Sequence, residues 1–358
     1  MLSKRILRIF ALIQALFSIF TCQAKAVSTS ASSAILVDAD SGRVLYEQNA
    51  DAKMLIASTT KIMTALVAIR EGDLSDTVTV SRAAAYTEGS AMYLSVGEEL
   101  TLETLLYGVM LCSGNDAAVA VAEHVGGSVE GFVGMMNETA KELGLTSTSF
   151  ANPNGLDHQD HYSTARDMAA LAAEAMKNAT FRRIVSTRSV TIGGRTMTNH
   201  NKLLSMAEGC IGLKTGYTRA AGRTLVSCAE RKGRQLIAVT LQDGNDWADH
   251  QALFDYGFSA FSHHRALTRG TVVRKVESGQ GEMVPLVAAE SFSYPLAEGE
   301  TLECRVELPR SISVSTGAKV GQAVYLLNGR EIGRADLLCG KSERVSNAWS
   351  ILKMKDQG

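Results

Sequence analysis

The chain has no cluster of lysine and arginine. Its 36 Lys and Arg residues almost balance 37 Asp and Glu, leaving a formal net charge of −1. That excludes the broad positive surface on which nucleic acid is held. Zinc-ligand spacing is also missing. The seven histidines are dispersed, and the close pair His158 and His161 around Asp160 reads as a loop feature rather than a metal site. There is no internal repeat and no low-complexity linker, so repeat and disordered organisations are set aside. The apolar run from Ile9 to Phe20 is too short to span a bilayer comfortably.

What the chain does have is core-forming material: 46% of its 358 residues are hydrophobic, and this length sets a prior of two domains. At the amino terminus Lys4, Arg5 and Arg8 precede the Ile9 to Phe20 run, and Ala24-Lys25-Ala26 follows it. These are the three regions of a secretory signal, with cleavage after Ala26. Cys22 lies within it, and Phe20 and Thr21 suit lipoprotein processing poorly, so Cys22 belongs to the discarded peptide. Five cysteines then remain, Cys112, Cys210, Cys228, Cys304 and Cys339. An odd number in an exported chain leaves at least one thiol unpaired. Cys304 and Cys339 could pair, whereas Cys112 reads as a small buried hydrophobe rather than a second nucleophile.

Three short motifs stand in a fixed order: Ser58-Thr59-Thr60-Lys61, Ser113-Gly114-Asn115 and Lys214-Thr215-Gly216. Ser58 directly precedes Ile62, Met63, Leu66, Val67 and Ile69, an apolar set at helical spacing, so the serine falls at a helix start with Lys61 on the same face. An N-cap is the ordinary job of such a serine. A capping box wants Glu or Gln three residues later, yet this helix places a cation at the positive end of its dipole. A lysine in that field beneath a cleft has its pKa lowered, which is what a neutral base facing a serine requires. Catalysis is therefore favoured over capping, and the two are compatible.

Ser113-Gly114-Asn115 ends the apolar helix Leu105 to Cys112, with a new helix beginning near Ala117. Alone it would read as a turn and cap. Lys214-Thr215-Gly216 ends the first strand of a hairpin that turns at Arg219 to Gly222 and returns as Arg223 to Cys228. Gly216 admits a ligand's close approach, and Lys214 with Thr215 can hold a carboxylate. Together the motifs supply a nucleophile, a base, a proton relay and an anion-binding strand, the parts for acyl transfer through a serine ester.

This set resembles the serine-type D-alanyl-D-alanine carboxypeptidases, the low-molecular-mass penicillin-binding proteins of peptidase family S11. The similarity runs from Ala34 to about Phe258 and includes Thr87-Glu88-Gly89-Ser90, Ser113 to Ala118, Phe150 to Leu156 and His161 to Ala165. Ala122 to Gly127 and Asn245-Asp246-Trp247 are most similar to the Gram-positive sporulation-associated branch. The resemblance implies that Ser58 attacks the penultimate D-alanine carbonyl and Lys61 takes its proton. Ser113, held by Asn115 and near Lys214, would pass a proton to the leaving D-alanine. The backbone N–H groups of Ser58 and Tyr217 would form the oxyanion hole, and Thr215 and Lys214 would hold the terminal carboxylate. Some members carry an arginine after the strand that follows the hairpin. Here that stretch is Asp243-Gly244-Asn245-Asp246-Trp247, and Arg223 is the substitute considered.

The organisation expected is a signal at 1–26, a catalytic domain at 27–262, a small β-rich domain at 263–345 and a tail at 346–358. The catalytic region mixes strands at both ends with helices between, giving an α/β (α+β) class with an antiparallel sheet flanked by helices, the penicillin-binding, β-lactamase-like transpeptidase fold. Beyond Phe261, Leu302, Cys304, Val306 and Leu308 alternate with polar residues, and Asn328-Gly329 marks a hairpin. The tail has too few apolar residues for firm membrane binding, so at most loose membrane association is expected. The expected partners are peptidoglycan stem peptides, with β-lactam antibiotics as inhibitors and no cofactor or metal, in an exported protein. A class A-like β-lactamase and a catalytically silent wall-binding protein are the alternatives. Against the lactamase, Phe150 to Asp167 contains Asp157, Asp160 and Asp167 but no glutamate to activate a deacylating water, and Asp167 is read as a helix cap.

Overall fold

The computed structural model describes residues 27–277, 283–309 and 315–341. The expected signal at 1–26 and tail at 346–358 lie outside the described residues. The chain opens with β1 (Ser33–Asp38) and β2 (Val44–Gln48), then passes through a 3-10 turn, Ala57–Thr60, into α1 (Lys61–Glu71). A helical layer follows, interrupted by two short hairpins. It consists of β3 (Thr77–Thr79), α2 (Arg82–Ala85), β4 (Glu99–Thr101), α3 (Leu102–Leu111), α4 (Asn115–Gly126), α5 (Val129–Glu142), α6 (Ala165–Lys177), α7 (Ala179–Ser186), β5 (Ser189–Ile192), β6 (Arg195–Thr198) and α8 (Leu203–Met206). The chain returns to the sheet with β7 (Cys210–Thr218), β8 (Gly222–Arg231) and β9 (Arg234–Leu241), and α9 (Asp246–Ala260) closes this part.

The main sheet runs β2-β1-β9-β8-β7, antiparallel throughout. Strand periodicity divides its side chains between two cores. Ile35, Val37, Val226, Ile237 and Val239 face the helical layer. Their neighbours Leu36, Leu236 and Ala238 face Leu253 and Phe254 of α9. Burial on both faces explains why β1, Ser-Ala-Ile-Leu-Val-Asp, is buried at every position and lacks the polar alternation of a half-exposed strand. Helix α1 is buried from Lys61 to Ala68, the condition of a helix enclosed on all sides. It carries Lys61 into the interior. Strand β7 ends the sheet, so its outer edge is free to face a cleft.

Beyond α9 the chain is β-rich: β10 (Phe261–Leu267), β11 (Val272–Glu277), β12 (Met283–Ala288), β13 (Phe292–Ala297), β14 (Leu302–Glu307), β15 (Lys319–Leu327) and β16 (Arg330–Cys339). A second antiparallel sheet runs β11-β12-β16-β15-β14 and a separate ribbon pairs β10 with β13. The β15–β16 turn has Asn328 and Gly329 both at positive φ, the conformation that makes Asn-Gly the favoured two-residue hairpin. Arg43 joins this region to the first. It donates to both carboxylate oxygens of Glu300 at 2.7 Å and lies over the rings of Phe261 and Tyr294.

Two expectations are corrected. Cys304 and Cys339 are both free thiols. They sit on β14 and β16 with β15 between them, and two strand spacings, about 10 Å, exceed the reach of a disulfide. The cap of α6 is Thr164, whose side chain accepts from the Asp167 N–H. Asp167 instead accepts from the Ser147 N–H at 2.8 Å and the Thr148 hydroxyl at 2.7 Å.

Candidate active site

The three motifs converge at the mouth of a cleft of ≈ 480 Å³ between β7 and the helical layer, where Ser58, Ser113, Thr215, Gly216 and Tyr217 all form part of the lining. Ser58 lies in the 3-10 turn that leads into α1, not on the helix, and the capping positions of the turn and of α1 are held by Ile56 and Thr60 rather than Ser58. Ala57 before it is held at φ +47°. That left-handed conformation costs about 1–3 kcal/mol for a residue other than glycine and persists only where the surroundings fix it. Here the Thr59 hydroxyl donates to Ile56 O at 2.6 Å and the Thr60 hydroxyl to Ala57 O at 2.8 Å. Thr224 of β8 donates to Ile56 O at 3.1 Å, tying the sheet to the turn. The buried His161 ring meets Thr60 Oγ1 at 2.7 Å through Nε2 and accepts from the Ala151 N–H. Its role in the structure is this brace.

Lys61 is fully buried, and its Nζ is 3.0 Å from Ser58 Oγ, 2.7 Å from Asn115 Oδ1 and 2.6 Å from Asn154 O. Burial, and then the charge of Lys214, push its pKa well below the usual lysine value. A neutral amine has two N–H donors and one lone pair. Two of its three neighbours are carbonyl oxygens, which can only accept, so the two N–H groups are taken by Asn115 and Asn154. The lone pair is left facing the Ser58 hydroxyl, the arrangement a general base needs.

Asn115 differs from expectation. It holds Lys61 through Oδ1 and donates to Glu88 O at 2.7 Å through Nδ2, rather than holding Ser113. It is also the first residue of α4, two residues earlier than the pattern suggested. Ser113 is nearly buried and held at φ +59° by the link between α3 and α4. Asp116, the second residue of α4, accepts from the Met92 and Leu94 N–H groups and so fixes the segment that brings Ser90 to the cleft.

Lys214 is buried on the face of β7 that meets the helical layer, opposite Val226, where its Nζ donates to Thr215 O at 2.8 Å. Burial lowers its pKa to about 7. At Gly216 an added Cβ would lie 2.9 Å from Ser58 N and 2.4 Å from Thr224 Oγ1, so only glycine lets the strand lie against the turn that carries Ser58. Sequence reasoning missed the carbonyl of Asn154 and His200, and noted Asp246 and Trp247 only as the stretch where some family members carry an arginine. Asn154 acts through a backbone carbonyl, which leaves no residue signature. His200, Asp246 and Trp247 line the cleft from loops and a helix start far away in sequence. The Asn on each side of His200 was the one available signal of an ordered loop there.

A family model described as D-alanyl-D-alanine carboxypeptidase matches residues 20–245, and one described as penicillin-binding protein 5, C-terminal domain, matches residues 261–344. The chain is 34% identical to D-alanyl-D-alanine carboxypeptidase DacF of Bacillus subtilis, over 90% of this chain and 88% of that protein. It is 33% identical to DacC of Escherichia coli, over 92% and 90% respectively. The structure of penicillin binding protein 5 from Haemophilus influenzae superposes with a TM-score of 0.77 at 30% identity, covering 89% of this chain and 99% of that one.

Proposed function

The chain belongs to the D-alanyl-D-alanine carboxypeptidase family, and from that premise we propose that Ser58 carries its chemistry through an acyl-enzyme on peptidoglycan pentapeptides. Ser58 Oγ attacks the carbonyl of the penultimate D-alanine while Lys61 Nζ takes the hydroxyl proton. The backbone N–H groups of Ser58 and Tyr217 receive the developing oxyanion, a role supported by the contact of β7 with the nucleophile turn at Gly216. The peptide C–N bond then breaks. Ser113 relays the proton to the departing D-alanine nitrogen, with Asn115 orienting Lys61 and Lys214 keeping the relay electropositive. Water hydrolyses the ester and frees Ser58. Thr215, at the cleft end of β7, binds the leaving residue.

The observation that carries this reading is the engagement of Lys61, with two carbonyl acceptors and the Ser58 hydroxyl around one buried amine. A β-lactamase reading finds no comparable support. Asp157 accepts from the Thr218 hydroxyl, Asp167 is used beneath α6, and the groups next to Lys61 are amide oxygens, which are not bases for water. The proposal includes export through the signal at 1–26, a catalytic unit at 27–262 and a β-rich unit at 263–345. Among the described residues no helix is long and apolar enough to cross a membrane. The test is D-alanine release from a peptide ending in D-Ala-D-Ala. Release by the wild type that is lost in Ser58→Ala is expected. Undiminished release by that variant would refute the assignment, and no release by the wild type would favour a silent wall-binding protein.

A further inference from the structure

One cluster of buried titratable groups takes no part in the chemistry at Ser58. It lies where the chain passes from β9 to α9, a link that carries Asp243 and then delivers Asp246 and Trp247 to the wall of the cleft. The segment before β1 is fastened onto this link. The Ser32 N–H is shared between the Leu241 and Gln242 carbonyls at 3.2 Å, and Ser30 sits between two carboxyl groups. Its hydroxyl is 2.7 Å from Asp243 Oδ1 and 2.9 Å from Asp249 Oδ2, and its N–H donates to the same Asp249 oxygen at 2.6 Å. Asp243 is 2% exposed and Asp249 8%. Neither belongs to the cleft lining.

A serine hydroxyl has one hydrogen, and here two carboxyl oxygens lie within reach of it. Were both carboxyls ionised, one of the two contacts would set lone pair against lone pair. The same shortage of hydrogen recurs at Asp243, whose Oδ2 is buried with no hydrogen-bond partner among the described residues. A proton on the pair turns an acceptor into a donor and removes the conflict. Burial first, with the charge and the hydrogen bond of Asp243 and against the opposing bonds of Ser30, raises the Asp249 pKa above the ordinary 3.8, as happens when two carboxyls share a site. The other titratable and charged groups on the elements packed here are His250, Asp246 and Arg223. His250 of α9 is held between Ser227 Oγ of β8 and Thr240 Oγ1 of β9, and burial draws its pKa down to about 3, so it is neutral above that value. Arg223 and Asp246, both in the cleft wall, pair with each other at 2.6 Å. The two carboxyls also brace the link from both ends. Asp243 donates its N–H to Arg223 O and accepts the Asn245 N–H through Oδ1, while the Asp249 N–H donates to Asn245 O.

We propose that Asp243 and Asp249 share one proton beside Ser30, and that this clasp positions the cleft wall at Asp246 and Trp247. Ser30, Asp243 and Asp249 are positioning residues, acting on the substrate through the link rather than by touching it. Loss of the proton leaves two buried like charges, which drive the link and α9 apart and loosen the wall. Substrate binding therefore weakens as the pair ionises. The kinetic part rests on the carboxypeptidase reading above, whereas the shared proton is read without any activity.

The test uses the full chain in a Trp349→Phe background, where Trp247 is the one remaining tryptophan, with Asp249→Asn, Asp249→Ala and Ser30→Ala added singly. Asparagine keeps the shape and can donate as a protonated carboxyl does, but does not titrate. In the parent the folded pair holds its proton above 3.8, the value of the unfolded chain, so the stability it contributes is complete below 3.8 and is lost as pH rises through the raised value. Melting temperature and Trp247 emission change together over that interval, and Asp249→Asn abolishes both changes. For D-alanine release at neutral pH, Asp249→Asn keeps or lowers the parental KM. Asp249→Ala and Ser30→Ala raise KM by about tenfold, the equivalent of one pKa unit of lost interaction, with kcat little changed. If Asp249→Ala proves unfolded, Ser30→Ala decides in its place. Profiles of Asp249→Asn that titrate as the parent does overturn the shared proton, and a parental KM in the folded alanine variants overturns the positioning role, in both cases with the carboxypeptidase assignment intact. A parent that releases no D-alanine overturns that assignment and the positioning role with it, and the melting and emission profiles still decide the proton.

Discussion

Replacing Asn115 by Asp changes one amide to a carboxylate at almost constant shape. Its Oδ1 lies 2.7 Å from Lys61 Nζ in a site where Asn115 is 4% exposed and Lys61 is fully buried. At an effective dielectric constant near 20, unit charges at that separation attract by about 6 kcal/mol. Burying the new carboxylate offsets much of this, and an opposite charge at such range shifts a neighbour's pKa by about 1–3 units. The sign is upward for Lys61, because the carboxylate favours the ammonium. A protonated Lys61 cannot accept the serine proton. The expected result is a fall in kcat/KM for D-alanine release of about 10- to 1,000-fold at neutral pH, with activity recovering as pH rises and the acidic limb displaced upward by about 1–3 units. The variant also loses the donation from Nδ2 to Glu88 O, at about 1–3 kcal/mol of stability. A purely structural role for Asn115 would lower the melting temperature without moving the limb. An unmoved limb, or one displaced downward, would refute the account of Lys61 as a neutral base.

Two further outcomes are expected. Gly216→Ala drives a methyl group against Ser58 N and Thr224 Oγ1, so acylation by benzylpenicillin should slow by about 100-fold with the circular dichroism spectrum retained, whereas a rate within about tenfold of wild type would show that β7 need not approach the nucleophile turn. Lys214 releases its proton at about 7 in the folded protein against 10.5 ordinarily, so between those values the unfolded chain binds more protons and stability rises with pH; Lys214→Met should flatten this part of the melting-temperature profile relative to wild type, and an unchanged slope would refute burial as the cause.

The motif residues were legible because acyl-transfer chemistry demands particular side chains, and Ser58, Ser113 and Thr215 do line one cleft. The hairpin carrying Lys214 was legible too, since alternation around a glycine-bearing turn is a local signal. The rest depends on three-dimensional arrangement. The contribution of Asn154 is a backbone carbonyl that any residue offers. Whether Asn115 turns to Ser113 or to Lys61 is a matter of side-chain rotamer, and the cap of α6 passed from Asp167 to Thr164 because the helix begins at Ala165, two residues before Asp167. Cysteine counting set a parity but not a partner, because strand order decides which thiols meet. The cleft wall formed by Arg223, Asp246 and Trp247 joins a strand to a helix start, and no periodicity in either segment points to the other.

The central claim is that Ser58 is the acylated nucleophile of a carboxypeptidase with no base for deacylating a penicilloyl ester. Intact-mass measurement of the protein after benzylpenicillin, followed by peptide mapping, tests it directly. The account requires a mass increase of one whole penicillin molecule, located on Ser58, that outlasts peptide turnover, because amide oxygens rather than a carboxylate stand beside Lys61 and the ring system retained on the ester blocks water, whereas D-alanine leaves and admits it. An adduct mapped to another residue, or continuous penicillin hydrolysis at a rate matching peptide hydrolysis, would contradict it.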